Sequence, residues 1–179
     1  LESATIALTG AALLMLWPAD SPEEVLLTVD WTTIFFFAGL FIMVGGMEHA
    51  GVIEAIAKKS LELTHGHLVA TGLLVLWLSA VASAFVDNIP FTAAMIPLLQ
   101  TVGSISHIPM ESVWWSLSLG ACLGGNGTLI GASANVIVAG ISAKYGRPIG
   151  FIEFLKLGFP LMLLSIVLSS LYLYLFYWR

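Results

Sequence analysis

Charged side chains are scarce in this sequence: Lys and Arg number 6 and Asp and Glu 11 among 179 residues, 9% of the chain. A water-soluble domain carries roughly 25%, and so thin a charged skin does not cover a soluble fold. Cysteine is scarcer still. Cys122 stands alone, which excludes a disulfide scaffold, and its side chain reads as a small buried residue. No basic cluster accompanies the formal net charge of −5, which excludes nucleic acid as a partner. Collagen-like, coiled-coil and disordered classes are excluded with it. What fills the chain instead is apolar, 59% of its residues being hydrophobic. The composition is that of an all-α, integral, multi-pass membrane protein whose first partner is the lipid bilayer.

Uncharged stretches run over residues 3–17, 31–47, 68–86, 88–106, 112–143 and 157–178. A helix crossing the hydrocarbon needs about 20 apolar residues; the last stretch meets this and the second nearly does. The first is short and the chain opens with Leu1 rather than Met, so an artificial or processing boundary is expected there. Glu2 stands where a signal peptide carries a basic leader.

Between these stretches lie wetter segments. Residues 18–30, with four acids and two prolines, read as an interfacial loop. Residues 51–64 read as an amphipathic helix lying in the interface, with Glu54, Lys58 and Glu62 at every fourth position and a Glu54–Lys58 pair supporting it. Trp17, Trp31, Trp114, Trp115 and Trp178 sit near expected helix ends, as in an aromatic belt, with Trp77 the exception.

Two places break the membrane pattern. In VDNIPFTAAMIP, Asp87 is flanked on each side by 19 uncharged residues, where a carboxylate costs roughly 2.5–3.5 kcal/mol. Pro90 biases Ile89 away from helical geometry. A re-entrant hairpin turning at Asp87–Asn88–Ile89 meets both constraints, with Asn88 as cap and Pro90 in the first turn of the second helix. Twelve residues from Pro90 to Thr101 give about 18 Å of helix, half a bilayer. The second break is GGNGTLIGASAN, inside a 32-residue uncharged stretch. Helix over residues 112–123 and 134–143 with an unwound middle makes one discontinuous span. Two polar breaks at one depth are the arrangement of substrate and ion sites in secondary transporters.

Other features carry less. Gly120 and Gly124 fit small-residue helix packing. Gly125, Gly127 and Gly131 miss the dinucleotide-binding spacing, and no lysine follows to make a phosphate loop. His65 and His67 flank a glycine in a loop, and a metal pair there is disfavoured. Glu48 and His49 reach the interface from a helix end, with ion access an alternative for Glu48. No nucleophile–base constellation points to an enzyme, and no ring of like charges to a channel.

VDNIPFTAAMIPL, WWSLSLGACLGGNGTLIGASANVIVAG and DWTTIFFFAGLFIMVGG resemble the ion-transporter superfamily, in its branch of arsenite permeases, sodium–proton antiporters and the melanocyte P protein. The resemblance covers nearly the whole chain. It implies one repeat of an elevator-type secondary transporter: scaffold helices over residues 1–49, an interfacial arm over 50–66, a re-entrant hairpin over 67–106, a broken transmembrane helix over 107–146 and a C-terminal scaffold helix over 147–179. By resemblance the hairpin tip is Asp87, Asn88 and Ile89 with Thr92 one turn on, and the unwound loop is Gly125, Asn126, Gly127, Thr128, Ser133 and Asn135. Related dicarboxylate carriers have a Ser-Asn-Thr tip, and Asp87 and Ile89 replace its Ser and Thr.

The family carries each motif twice and this chain once, which implies either a missing N-terminal repeat or a second, antiparallel copy. The family also implies a dimer. Following the expected crossings, Lys58, Lys59 and Arg179 share one side and Lys144, Arg147 and Lys156 the other, which permits dual insertion. The expectation is a carrier of a small inorganic ion in the plasma (inner) membrane, with Asp87 coupling transport to protons or sodium and no other cofactor. Sodium, if bound, falls to Asp87, Asn88 and Asn126, with Thr92 and carbonyls of residues 124–128 assisting. The alternatives are arsenite or an organic anion drawn to half-helix N-termini, and a non-transporting membrane scaffold or regulatory subunit.

Overall fold

The computed structural model describes residues 2–16, 21–29, 31–106 and 108–178, with the side chains of Pro22 and Thr33 outside the description. The expected belt residue Trp17 and the cation Arg179 lie outside the described residues. Every regular element among those described is helical. The chain falls into two units, Leu1–Gly39 and Leu40–Arg179.

In the first unit, α1 spans Ser3–Met15 and buries none of its residues. The segment expected to be loop contains a short helix, α2, over Pro22–Leu27. Its cause is local. Ser21 is the N-cap, its Oγ accepting the Glu24 N–H at 3.3 Å, with Pro22 at the first position and Glu23 and Glu24 in the first turn. The indole of Trp31 donates to the Leu26 carbonyl at 3.0 Å. From Trp31 the chain continues as α3, Trp31–His49, and the division between the units falls inside that helix.

In the second unit the chain bends by 69° after α3, where Gly51 takes a left-handed φ of 72° that other residues rarely adopt. The arm follows as α4, Val52–Thr64, with Lys58 on Glu54 at 2.6 Å and Lys59 on Glu62 at 3.2 Å. Its buried residues, Ile53, Ala57 and Thr64, lie on the opposite face. Next come α5, Leu68–Ser83, and α6, Asn88–Ile105. At 18 residues, about 27 Å, α6 is longer than the expected half-bilayer. Pro90 falls where no backbone donor is required, and at the far end the Ser104 and Ser106 hydroxyls bond back to Thr101 O and Val102 O.

The glycine-rich stretch comprises α7, Met110–Gly124, a 3-10 turn at Gly125–Gly127, and α8, Ser133–Lys144. The last helix, α9, covers Phe151–Phe176. Among the described residues it is the one helix long and apolar enough by itself to cross a bilayer, with a mean hydropathy of 2.0 over its best window. It buries a single stripe, Met162, Ile166, Ser169 and Leu173, and leaves Leu161, Leu164, Leu168 and Tyr172 exposed.

The core of this unit is the contact of α5 with α7, with α9 closing one side and α6 the other. The helices touch because α7 lacks side chains at the contact. A Cβ on Gly120 would stand 2.5 Å from Leu76 O, and one on Gly124 2.4 Å from Ala80 O, the small-residue packing of membrane helices. Around the contact, Leu76, Ala80, Ala84, Met162, Ile166, Leu173 and Trp178 form one apolar cluster, and Val75, Met95, Leu99, Val113 and Leu117 a second. Two expectations are corrected. Trp178 is buried in the first cluster rather than standing in an aromatic belt, because its N–H closes on Leu173 O at 3.0 Å and its ring lies over Gly72 of α5, which has no side chain in the way. Cys122 is exposed: Ala121 and Gly124 take the buried side of α7 and leave it on the outer side. Trp77, the internal tryptophan, donates to Ser170 Oγ of α9 at 3.2 Å.

Candidate functional site

The two polar breaks meet. Helix α5 ends at Ser83, and Ala84–Asp87 form the turn into α6. Asp87, not Asn88, is the N-cap: its Oδ1 accepts the Ile89 N–H at 3.1 Å. Asp is as good a cap as Asn, and the shift by one residue places Asn88 and Ile89 in the first turn. The other carboxylate oxygen reaches across to the far side of the glycine-rich break. Oδ2 accepts the backbone N–H of Ser133 at 3.1 Å and its hydroxyl at 2.5 Å. One carboxylate thus caps α6 and holds the start of α8, two helix N-termini whose partial positive charge suits an anionic side chain. It is the one acidic or basic residue between positions 68 and 106, and it is half-buried.

The unwound loop is stitched by its own side chains. Asn135 Nδ2 donates to Gly125 O at 2.9 Å and to Thr128 O at 3.1 Å. Thr128, fully buried, donates its hydroxyl to Ala84 O at the hairpin turn. One residue earlier, Ser83 Oγ donates to Ala121 O at 2.7 Å. Gly131 completes the junction, where a Cβ would lie 2.7 Å from Gly125 O and 2.8 Å from Ala84 O. These bonds supply partners to backbone that no helix ladder serves.

Of the residues expected at the site, the structure brings Asp87 and Ser133 together, joins Thr128 to the hairpin turn and ties Asn135 to Gly125 and Thr128 within the loop. Asn88 and Thr92 lie half-buried in the first turns of α6. Among the described residues, no hydrogen bond joins Asn88, Thr92 or Asn126 to Asp87. Asn126 lines a different space, a cavity of about 480 Å³ against α9 shared with Glu153, Phe154, Gly158, Met162 and Ser165. The backbone is held there by α9, since a Cβ on Gly158 would stand 2.6 Å from Asn126 O and one on Gly127 2.9 Å from Met162 Cε. The carbonyls of Gly125 and Thr128, expected to assist a cation, already accept from Asn135.

Sequence reasoning missed three participants. Ser83 is the last residue of α5, four before the Asp87 cap of α6, and a serine in an apolar run gave no sign of its bond to Ala121 O. Glu153 and Gly158 in FIEFLKLGFP carried no comparable signal before α9 was seen against the loop. Among the described residues, no group of three or more His, Cys, Asp or Glu gathers to hold a metal ion. His65 takes a left-handed φ of 49° as the C-cap of α4, and His67 precedes α5.

A family described as citrate transporter (CitMHS) matches residues 2–120. An uncharacterized transporter of Mycobacterium bovis is 42% identical over 179 residues, covering 99% of this chain and 42% of that protein. The P protein of Homo sapiens is 42% identical over 184 residues, covering 97% of this chain and 22% of that protein. The 46 kDa membrane protein of Mycobacterium leprae is 39% identical over 176 residues, 96% of this chain and 41% of the relative. The chain therefore spans less than half the length of these curated relatives. No solved structure matches it. The P-protein matches agree with the ion-transporter resemblance carried by the hairpin and glycine-rich motifs.

Proposed function

The chain belongs to the citrate transporter family, and on that premise we propose that it is one repeat of a secondary active transporter, moving a small inorganic ion coupled to protons or sodium through Asp87. The observation that carries the reading is the position of the Asp87 carboxylate, bonded at once to the hairpin tip and to the first residue of α8. An intramembrane carboxylate defaults to an ion or proton pathway.

The oxygen donors near the tip suit a hard cation: the Asp87 carboxylate, the Asn88 amide and the Thr92 hydroxyl. When ionised, Asp87 attracts sodium; when protonated, it releases it, which couples the two without a separate gate. Gly125, Gly127, Thr128 and Asn135 shape the junction, and Ser133 meets the carboxylate directly. Asn126 acts from the α9 side, as a contact along the substrate path rather than as a partner of Asp87 in one sodium shell.

The family's name points to an organic anion, and arsenite is the other alternative. The inorganic cation is favoured because a carboxylate already stands where the N-termini of α6 and α8 would draw an anion. In this reading residues 50–66 are the interfacial arm, 67–106 the re-entrant hairpin and 107–146 the broken span. Residues 1–49 and 147–179 serve as scaffold. The repeat works as an elevator in a dimer in the plasma (inner) membrane, completed by an N-terminal repeat or an antiparallel copy. The exposed apolar residues of α9 and the paired charges of α4 support this division. The test is gradient-driven exchange by the purified protein in proteoliposomes, with Asp87→Asn and Asn126→Ala. Coupling is expected to be lost in the first and the rate lowered in the second. Unchanged flux in both, with altered assembly, would favour a non-transporting scaffold or regulatory subunit.

A further inference from the structure

We infer that Ser133 is a positioning residue for Asp87 and that, by occupying the carboxylate, it sets how tightly the site holds sodium; the inference rests on the reading of Asp87 as the coupling carboxylate. An ionised carboxylate offers about four lone-pair sites. At Asp87 three are filled: Oδ1 by the Ile89 N–H at 3.1 Å, Oδ2 by the Ser133 N–H at 3.1 Å and the Ser133 hydroxyl at 2.5 Å. All three partners present hydrogens, and two helix N-termini add partial positive charge from the same directions. A cation arriving at Asp87 therefore meets a carboxylate whose charge is already partly compensated. To gain a full share of Oδ2 it has to displace the Ser133 hydroxyl.

The competing donor comes from another element. Ser133 lies 46 residues from Asp87 in sequence, at the first position of α8, beyond the glycine-rich break. A cation at Oδ2 and the Ser133 hydroxyl thus compete for one lone pair, while the Ser133 N–H keeps the α8 start on the hairpin tip. The contact has a use in a carrier, because an ion bound too tightly is not released. Ser133 acts on the site as a brake on affinity, a different role from that of a direct ligand.

The test is the sodium concentration giving half-maximal exchange, measured at fixed pH in proteoliposomes of the purified protein for wild type, Ser133→Ala and Ser133→Thr. One hydrogen bond to a charged group alters binding by roughly tenfold. Ser133→Ala is expected to lower the half-saturating sodium concentration by that factor and to lower the maximal rate as release slows. Ser133→Thr keeps the hydroxyl and restores both values. Ser133 is exposed and alanine is a good helix former, so the variant is expected to fold. An unchanged half-saturating concentration overturns the inference, and a raised one does too, since it makes the hydroxyl a ligand. Wild-type exchange that follows a pH gradient and ignores sodium overturns it while the wider reading stands. Exchange that Asp87→Asn leaves intact overturns the reading itself.

Discussion

Replacing Gly124 by alanine tests whether the close α5–α7 contact holds the two breaks together. The new Cβ would lie 2.4 Å from Ala80 O and 2.6 Å from Ala80 Cα. Both neighbours are backbone atoms of a helix, so neither yields by rotating a side chain, and α5 and α7 have to separate. Overpacking of this kind costs about 1–3 kcal/mol, while alanine returns up to about 1 kcal/mol of helix propensity relative to glycine. The net expectation is destabilisation by about 1–2 kcal/mol. Gly140, on α8, provides the control, because nothing lies within 4 Å of its Cβ position and Gly140→Ala is expected to be neutral or stabilising. Both variants are compared with wild type by denaturant unfolding in detergent, followed by tryptophan fluorescence. The separation also pulls Ala84 away from Thr128, so Gly124→Ala is expected to slow exchange as well. Equal stability of the two alanine variants would refute the close-contact argument.

Two further outcomes follow from hydrogen bonds at the junction and on the arm. Asn135→Ala removes the side-chain donor shared by the Gly125 and Thr128 carbonyls and leaves Thr128 O with the Gly131 N–H at 3.3 Å; a buried acceptor that loses its donor costs about 1–3 kcal/mol, so this variant is expected to unfold at lower denaturant than Gly140→Ala, and equal midpoints would argue that water serves the Gly125 carbonyl. On α4, the hydrogen bond from Lys58 and its charge hold the Glu54 carboxyl below its ordinary value of 4.5. A depressed carboxyl contributes stability above the unfolded value and loses it as pH falls through the folded one. The arm is therefore expected to lose helicity, read by circular dichroism, only on acidification below about pH 4.5; Glu54→Gln is expected to remove that pH dependence, and its persistence would point to another group.

Much of the site was legible because both breaks are written in locally costly residues. An acid between uncharged runs, a proline just after it, and glycines mixed with asparagine and threonine have few stable solutions in a bilayer. Their meeting through Ser133 follows from chain connectivity that the spacing did not reveal. The α2 helix was legible in principle, since Ser21, Pro22 and Glu24 spell an N-terminus, but the prolines and acids read more simply as loop. Which side of α9 faces inward was not legible, since its apolar residues run all round the helix and fix no rotation, and nothing marks the burial of Trp178 beyond its end. On α7 the Gly120 and Gly124 pair marks the packed side, but a small residue such as Cys122 beside it carries no sign that it faces outward. The same holds for Asn126, which lines a cavity with Gly158 and Met162 of α9, far along the chain.

The most direct test of the central claim is ion exchange driven by an imposed sodium or pH gradient in proteoliposomes carrying Asp87→Asn. The account predicts that the variant, inserted and folded, loses gradient-coupled exchange by at least about tenfold, because asparagine matches the carboxylate in size but neither takes up a proton nor balances a cation's charge, and it keeps one acceptor oxygen for the donors of Ile89 and Ser133. Wild-type coupling in that variant would contradict it.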